Sequence, residues 1–196
     1  LTHSVSPVFQ QAAFDSVKLD VVYLPWSVKP ADLGKGIQKL RGEKYIGANI
    51  TIPYKERVVS FLDSLDPIAQ MIGSVNTIVK IDQRLIGHNT DADGFIRSLK
   101  TEGNFDPVGA KIVLLGAGGA ARAAAFGLAL AGASSISIVN RTVSRAESIA
   151  ADIAHILSDL STLSFRSDLL TMTCLNADLI VNCTSMGMKG GSDPQT

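Results

Sequence analysis

The fold of this chain is decided by the stretch Leu114-Leu115-Gly116-Ala117-Gly118-Gly119-Ala120-Ala121-Arg122. An apolar run at residues 111–115 breaks at a glycine-rich turn, and an alanine-rich segment at residues 120–130 follows. This order predicts a strand, a tight loop and a helix. The first glycine permits the turn, the second lets the backbone approach a pyrophosphate, and Ala121 is the small residue at which helix packs on strand. The free N–H groups of the helix N-terminus would then face the phosphates of a dinucleotide.

The residues after the next predicted strand, at 135–139, indicate which dinucleotide binds. A site for a free ribose hydroxyl favours Asp or Glu at this strand end, whereas this chain has Asn140-Arg141-Thr142. A guanidinium forms paired hydrogen bonds with a phosphate, which a carboxylate would repel. The sequence therefore predicts NADP(H) rather than NAD as the cofactor. Arg145, one helical turn beyond Arg141, either adds to this phosphate site or is an exposed helix arginine.

The composition is that of a globular protein without a charge bias. Of the 196 residues 46% are hydrophobic and 18% are charged, and 18 basic residues balance 18 acidic ones. This balance argues against nucleic acid or an anionic membrane as a partner, and the apolar stretches are too short to cross a bilayer. Cys174 and Cys183 have no His or Cys neighbour at metal-ligand spacing, so no metal site is expected. A cytoplasmic location is the simplest expectation.

The first half of the chain is predicted to alternate between helices and strands. Ser6 would be the N-cap of the first helix and Pro7 its first residue. Pro53 would end a strand and begin a short helix that carries Lys55 in its first turn. The predicted elements are a helix at 6–17, a strand at 21–26, a helix at 30–42, a strand at 45–52, a helix at 53–62, helical turns at 66–72, and strands at 75–81 and 84–87 that form a hairpin around Asp82-Gln83.

The second half continues the alternation after a connecting helix at 93–100 and a Gly- and Pro-containing segment at 102–108. The predicted elements are strands at 111–115, 135–139, 163–166 and 178–182, and helices at 119–131, 143–158 and 168–175. This order predicts an α/β fold with parallel sheets covered on both faces. We expect an α/β domain at 1–92, a connecting helix and linker at 93–108, and an incomplete Rossmann-type NADP-binding domain at 109–196.

Seven short motifs occur in order along the chain. They are His3-Ser4-Val5-Ser6-Pro7, Gly47-Ala48-Asn49-Ile50-Thr51-Ile52-Pro53-Tyr54-Lys55-Glu56, Ser74-Val75-Asn76-Thr77, Gly87-His88-Asn89-Thr90-Asp91, the glycine turn, Asn140-Arg141-Thr142, and Asn182-Cys183-Thr184-Ser185-Met186-Gly187-Met188. Together they resemble the shikimate dehydrogenase family, which reduces 3-dehydroshikimate to shikimate with NADPH on the chorismate route to aromatic amino acids. The resemblance covers essentially the whole chain. It implies that residues 1–92 bind substrate and that a cleft lies between the two domains.

The resemblance also concerns what flanks these motifs. Family members have a strand before the first motif and a longer segment after the last one, and we expect both to be lacking from these 196 residues. On that expectation, this stretch alone would bind substrate and NADPH poorly and turn over slowly or not at all. A homodimer is a possible oligomeric state.

The resemblance implies which residues bind the substrate. Ser4 and Ser6 would hold its carboxylate, in keeping with two hydroxyl donors at a helix N-terminus, although Ser6 could serve only as a cap. The side chains expected around the substrate hydroxyls are Asn49, Thr51, Asn76 and Asp91. For each residue taken alone, ordinary turn and strand-end bonding is the better interpretation, and it is their occurrence as a set that favours a site.

Lys55 and Asp91 match the catalytic pair of the family. Reduction of a ketone places negative charge on its oxygen as hydride reaches the carbon, and a lysine ammonium can supply the proton. A nearby carboxylate would orient that ammonium. The alternative is a solvated lysine in the first turn of a helix, a position that is unfavourable for a cation.

The residues expected to bind the cofactor are Gly116, Ala117, Gly118, Gly119, Ala120, Asn140, Arg141, Thr142, Arg145, Thr184, Ser185 and Met188. His88 is expected to be an exposed histidine at a strand end. Two alternatives to the NADP-dependent enzyme stay open. One is a quinate/shikimate dehydrogenase that uses NAD, against which Arg141 argues. The other is a non-catalytic shikimate- or quinate-sensing relative, against which the intact pair of Lys55 and Asp91 argues.

Overall fold

The computed structural model describes residues 4–187. The chain divides into two units, Leu1–Lys39 and Leu40–Thr196. The second unit contains two four-stranded sheets with helices between the strands. The predicted α/β class is confirmed. The predicted linker at 93–108 lies between the two sheets along the chain, and the predicted domain boundaries stay a prediction.

The first unit contains helix α1 (Ser6–Ser16), a 3-10 helix (Pro30–Asp32) and helix α2 (Leu33–Lys39). The prediction that Ser6 is the N-cap is wrong, because Ser6 is already helical and the capping position is Val5, whose side chain makes no capping hydrogen bond. The backbone N–H of Ser6 donates instead to Ser4 Oγ at 3.3 Å. Ser4 therefore has a local structural role, since the first N–H groups of a helix lack carbonyl partners within it.

The strand expected at residues 21–26 is not formed among the residues that the structure describes. The backbone of this segment forms hydrogen bonds with the side-chain amide of Gln11 instead. Gln11 donates to Val21 O at 3.0 Å and accepts from Tyr23 N–H at 2.9 Å. Alternating apolar residues predict an extended segment, but a strand also needs a neighbouring backbone with which to form a ladder. Here one side chain makes the two hydrogen bonds that a strand neighbour would make.

The first sheet of the second unit is mixed rather than parallel. Its strands are β1 (Gly47–Asn49), β2 (Ser64–Leu65), β3 (Thr77–Ile81) and β4 (Arg84–His88). The order is β1-β3-β4-β2, in which β3 is antiparallel to β1 and β4, and only β2 is parallel to its neighbour. The predicted hairpin at Asp82-Gln83 is confirmed. It explains why the expectation of a parallel sheet is wrong here, since a two-residue connection joins antiparallel strands.

Two predicted elements before this hairpin are shorter in the structure. The strand expected at 45–52 is only β1, and the helix expected at 53–62 is a 3-10 helix, Arg57–Phe61. Between them the chain turns, with the N–H of Tyr54 donating to Thr51 O at 3.0 Å. Lys55 consequently lies in a turn before the helix and not in its first turn, so the argument from a helix N-terminus does not apply to it.

The first N–H groups of two helices of this unit donate to side chains that precede the helix. Helix α3 (Pro67–Ile72) has Asp66 as its N-cap, whose carboxylate accepts from the N–H of Ala69 at 2.8 Å. Helix α4 (Asp91–Thr101) begins two residues before its predicted start at 93. Its first N–H groups are met by the side chain of Asn89, so the helix includes Asp91 as its first residue.

The second sheet is fully parallel. Its strands are β5 (Lys111–Leu115), β6 (Ser135–Val139), β7 (Leu160–Leu163) and β8 (Leu179–Asn182), and the helices between them are α5 (Gly119–Leu130), α6 (Val143–Ile153) and α7 (Leu170–Leu175). The order β7-β6-β5-β8 is that of the first four strands of a Rossmann sheet. The bounds of β5 and β6 are as predicted. Helix α6 ends five residues before its predicted end, and residues 154–156 form a turn. Strand β7 begins three residues before its predicted start.

Helices α4 and α5 pack closely through small residues. A Cβ added at Gly127 would lie 3.1 Å from the carbonyl oxygen of Ala92, so only glycine fits this contact without a shift. Ala121, Ala125 and Phe126 of α5 are fully buried in the core. This packing brings the helix that begins at Asp91 against the helix that follows the glycine turn.

Within residues 4–187, the structure contains no helix that is both long enough and apolar enough to cross a membrane.

Candidate active site

Lys55 and Asp91 form an ion pair in the structure. The Lys55 ammonium nitrogen lies 2.8 Å from Asp91 Oδ2, and the two side chains are 17% and 30% exposed. Asp91 is the first residue of α4, where the positive end of the helix dipole favours a carboxylate. The pair is thus partly screened from water but still open to a small molecule.

Asn76 links this pair to the predicted substrate-binding residues. Its amide donates to Asp91 Oδ1 at 2.9 Å and to Thr90 Oγ1 at 2.8 Å, while its Oδ1 accepts from Thr77 Oγ1 at 3.1 Å. Asn49 in turn donates to Thr77 Oγ1 at 3.1 Å. Asn49, Asn76 and Asp91 therefore lie in one continuous hydrogen-bonded row that begins at the ion pair of Lys55 with Asp91.

The remaining predicted substrate residues have different positions. Thr51 is exposed in the turn between β1 and Lys55, and its carbonyl accepts from the N–H of Tyr54. Ser4 and Ser6 belong to the first unit, at the start of α1. Their contact with a substrate carboxylate stays a prediction.

The N-terminus of α5 lies against Lys55. A Cβ added at Gly119 would be 3.6 Å from Lys55 Cδ and 3.6 Å from Ser74 Oγ, which is ordinary van der Waals contact. Gly119 is the first residue of α5, so the N–H groups predicted to bind phosphate begin beside the aliphatic part of Lys55. The structure therefore brings the predicted catalytic and cofactor residues together.

The glycine turn has the backbone that the sequence predicts. Gly116 has φ +109°, a conformation that side-chain-bearing residues rarely adopt, and an added Cβ would lie 3.1 Å from the Cys183 backbone. A Cβ at Gly118 would meet nothing within 4 Å, so the space in front of this residue is open. Ala117 and Ala120 flank this open space along the chain.

The loops after β5, β6 and β8 meet at one edge of the second sheet. Leu115 is in register with Val139 and with Asn182, the last residues of β6 and β8. Asn140 donates to Thr142 O at 2.8 Å, and Arg141, Thr142 and Arg145 are exposed at this edge. Asn182 Oδ1 accepts from the N–H and the hydroxyl of Thr184 at 3.0 and 2.7 Å. Ser185 is exposed in the same loop, and Met188 lies outside the described residues.

The comparisons with known proteins agree with this arrangement. Residues 1–78 match the model described as the shikimate dehydrogenase substrate binding domain, and residues 100–190 match that of shikimate / quinate 5-dehydrogenase. The chain is 45% identical over 192 residues to shikimate dehydrogenase (NADP(+)) of Moorella thermoacetica, covering 95% of this chain and 63% of that protein.

Solved structures extend the match to the fold. Shikimate 5-dehydrogenase from Listeria monocytogenes, in complex with shikimate and NAD, has a TM-score of 0.87 and 34% identity, covering 97% of this chain and 68% of that one. The chain belongs to the shikimate dehydrogenase family. A 5-ketofructose reductase of Gluconobacter sp. strain CHM43 also matches, with a TM-score of 0.81, 37% identity, and coverage of 94% of this chain and 66% of that one.

The chain spans just under two thirds of the length of the first curated shikimate dehydrogenases that it matches, from 63% to 66%. It includes the ion pair, the hydrogen-bonded row and the glycine turn described above.

The residues present fit a dinucleotide of the kind that shikimate dehydrogenases use. The open space at Gly118 leaves room for a pyrophosphate, and the N–H groups at the start of α5 would be its donors. No acidic residue stands at the end of β6, where Arg141 is exposed. These features favour a phosphate over a bare ribose hydroxyl.

Sequence reasoning missed several residues of this candidate site. Thr77 and Thr90 bond to Asn76, Asn89 caps α4, and Asn182 closes the loop after β8. No local pattern signals this role of Asn89, because it lies four residues before the predicted helix start at 93 and only two before the observed start at Asp91. Thr77 adjoins Asn76 along the chain, whereas Thr90 contacts Asn76 only through the pairing of β3 with β4, which no local pattern specifies.

Two further residues are His88, whose exposure differs from the prediction, and Cys183, whose thiol has a raised pKa. His88 is half-buried rather than exposed, and its Nδ1 lies 2.8 Å from the carboxylate of Asp66. Burial raises the pKa of the Cys183 thiol to about 11, which favours the protonated thiol at neutral pH.

Proposed function

We propose that the full-length protein is an NADP-dependent shikimate dehydrogenase that reduces 3-dehydroshikimate to shikimate. The observation that carries the proposal is the ion pair of Lys55 with Asp91 placed beside Gly119 at the start of α5. A proton donor and a dinucleotide-binding helix N-terminus thus adjoin, as hydride transfer to a ketone requires.

The chain's own residues supply the proton and the orientation. NADPH, when bound, supplies the hydride that reduces the ketone carbon. As that carbon accepts hydride, negative charge develops on the ketone oxygen, and Lys55 donates a proton from its ammonium nitrogen to this oxygen. The product is an alcohol, and Lys55 is left neutral until it regains a proton from solvent. In the oxidation direction the same nitrogen accepts the hydroxyl proton.

Asp91 and its neighbours orient the reactants. The Asp91 carboxylate holds the Lys55 ammonium through Oδ2, and Asn76 holds the same carboxylate through Oδ1. We propose that Asn49, Thr51, Asn76 and Asp91 bind the hydroxyl groups of the ring. Ser4 and Ser6 are proposed to bind the ring carboxylate. The hydrogen-bonded row supports the assignment of Asn49, Asn76 and Asp91, because it holds their polar side chains next to one another.

The cofactor proposed is NADP(H), with its extra phosphate held by Arg141, Thr142 and Arg145 and its pyrophosphate at residues 116–120. The nicotinamide end is assigned to Thr184, Ser185 and Met188. Relatives support either cofactor, since the Moorella protein is described with NADP(+) and the Listeria structure contains NAD. The exposed Arg141 and the absence of an acidic residue at this end of β6 favour NADP(H).

The test is a matrix of steady-state rates on the full-length protein. Shikimate and quinate are oxidised with NADP+ and with NAD+, and 5-ketofructose is offered with NADPH. We expect shikimate with NADP+ to have the highest kcat/KM. A higher value for quinate with NAD+, or for 5-ketofructose, would replace the proposed substrate. Absence of turnover together with tight binding of shikimate by calorimetry would identify a sensor instead.

A cytoplasmic location and a homodimeric state are further proposals for the full-length protein. Cell fractionation and sedimentation equilibrium test them, and a membrane-bound fraction or a monomer at all concentrations would contradict them.

A further inference from the structure

Asn89 is a buried amide between β4 and α4 that uses both ends of its side chain. It is 6% exposed. Its Oδ1 accepts from the N–H of Asp91 at 3.1 Å and from that of Ala92 at 3.4 Å. Its Nδ2 donates to the carbonyl oxygen of Ser74 at 2.9 Å. One side chain therefore caps the helix that begins at Asp91 and ties it to the segment before β3.

These bonds are part of a closed ring that includes both residues of the catalytic pair. Ser74 is fully buried, and the next residue, Val75, donates its N–H to Lys55 O at 2.8 Å. From Lys55 the ring passes through its ammonium to Asp91 Oδ2 at 2.8 Å, and from the Asp91 backbone to Asn89. The backbones of Lys55 and Asp91 are thus connected through one amide, apart from the ion pair itself.

We propose that Asn89 is a positioning residue that sets the separation between the Lys55 ammonium and the Asp91 carboxylate. This inference rests on the proposed dehydrogenase function. Asparagine suits the position because it offers a donor and an acceptor on one planar group. Asp or Ser would still accept from the helix N–H groups, but neither has the amide N–H that reaches Ser74 O. Water does not readily replace a bond at this depth, so loss of the donor shifts the ring.

The variants Asn89→Ser and Asn89→Asp test the amide donor. Both keep an acceptor for the cap, and they differ in charge, so an effect common to both reports the lost bond to Ser74. We expect kcat to fall by about 10- to 100-fold, the loss that a small misplacement of a catalytic group produces, with KM changed by less than about threefold. The control is Ile153→Ala, which lowers the melting temperature from a buried position at the end of α6.

A second arm separates positioning from general destabilisation. Each Asn89 variant is combined with Asp91→Asn, and kcat is measured below the melting temperature of every variant. If Asn89 acts through Asp91, its substitution has little further effect in this background. Equal losses in both backgrounds, or a loss no larger than that of Ile153→Ala, would overturn the proposal.

A third arm does not depend on dehydrogenase activity. Acetylation of individual lysines by acetic anhydride is followed by mass spectrometry in the wild type and in the Asn89 variants. We expect the rate at Lys55 to rise several-fold in the variants, because its ammonium loses a fixed partner. The rate at Lys80, which donates to Gly42 O at 2.7 Å, is expected to stay unchanged. An unchanged rate at Lys55 would overturn the positioning role, whereas inactivity of the wild type with every substrate would overturn only the proposed function.

Discussion

Gly119 lies against the side chain of Lys55, so that a Cβ added to the glycine would be 3.6 Å from Lys55 Cδ. The two residues follow strands of different sheets of the second unit, since Gly119 begins α5 after β5 and Lys55 lies in the turn after β1. Their contact places the proposed proton donor at the proposed dinucleotide site. The proposed reaction is therefore expected to be sensitive to substitutions at either Lys55 or Gly119.

Removal of the ammonium tests the proposed proton donor. In the full-length protein, Lys55→Ala is expected to lower kcat by about 10²- to 10⁴-fold with a much smaller change in KM, because the proton is needed only as charge develops. Asp91→Asn is expected to impair both kcat and KM, since Asp91 is also proposed to bind a substrate hydroxyl. Lys100→Ala, at a more exposed ion pair, is the matched control. Near-normal turnover by the Lys55 variant would remove it from the mechanism.

The two glycines of the turn are expected to respond differently to alanine. Gly116→Ala places a side chain at φ +109° and 3.1 Å from the Cys183 backbone, and should lower the free energy of unfolding by about 1–3 kcal/mol. Gly118→Ala should lower the free energy of unfolding by less than about 1 kcal/mol, because its backbone is extended and its surroundings are open. It should nevertheless weaken NADPH binding, since the new methyl group stands in the proposed phosphate space. Chemical denaturation and NADPH titration separate the two effects, and equal stability losses would contradict this account of the turn.

Cofactor choice is expected to depend on Arg141. Arg141→Ala should weaken NADPH binding by roughly 1.5–3 kcal/mol, the range for a hydrogen bond to a charged group, and leave NADH binding nearly unchanged. Arg97→Ala, an exposed arginine on α4, serves as the control. Isothermal titration with both cofactors checks this. Equal weakening of both would show that Arg141 does not contact the extra phosphate.

Substitution of the two serines tests capture of the substrate carboxylate. Ser4→Ala and Ser6→Ala are each expected to raise KM for the ring acid. Stability should respond only to Ser4→Ala, and weakly, because Ser4 Oγ accepts the Ser6 N–H whereas Ser6 is itself helical and caps nothing. Thermal denaturation and steady-state kinetics on both variants give the two readouts. An unchanged KM for Ser4→Ala would leave this residue with only its structural role.

The Asp63 carboxylate is expected to make stability depend on acidic pH. Paired hydrogen bonds from Arg41, at 2.7 and 3.0 Å, lower the pKa of Asp63 from 3.8 to about 2, with help from the N–H of Leu85. Because the pKa is lower in the folded state, Asp63 contributes stability above its unfolded pKa, and this contribution is lost as pH falls from about 4 to about 2.

Asp63→Asn should remove this dependence. The difference in the free energy of unfolding between wild type and variant is expected to shrink as pH falls from about 4 to about 2. Denaturant unfolding at several pH values measures it. A difference that stayed constant over this range would show that the ion pair does not stabilise the fold.

Local patterns predicted much of the second sheet and one hairpin. The bounds of β5 and β6 agree with the sequence because an apolar run ends each time at residues that cannot continue a strand, the glycine turn in one case and Asn140 in the other. The hairpin at Asp82-Gln83 followed from turn residues between alternating segments. Such signals lie within a few residues of one another, so they can be seen without the rest of the chain.

Elements that depend on a distant neighbour were predicted less well. The segment at 21–26 has the alternation of a strand, yet its backbone is bonded to Gln11. The first sheet is mixed, with β3 antiparallel to both of its neighbours, where the alternation of elements suggested a parallel sheet. The position of β7 was three residues off, because its weakly apolar sequence gains a register only by pairing with β6.

The sequence by itself determined the chemistry available to this protein, namely a lysine and an aspartate in motifs of the shikimate dehydrogenase family, a dinucleotide turn and an arginine after β6. Only the tertiary structure decided that Lys55 and Asp91, 36 residues apart, form an ion pair, that Gly119 touches Lys55, and that Asn89 connects the backbones of the pair. The physical reason is that residue type and turn geometry are local properties, whereas a 2.8 Å contact between distant residues depends on how sheets and helices pack.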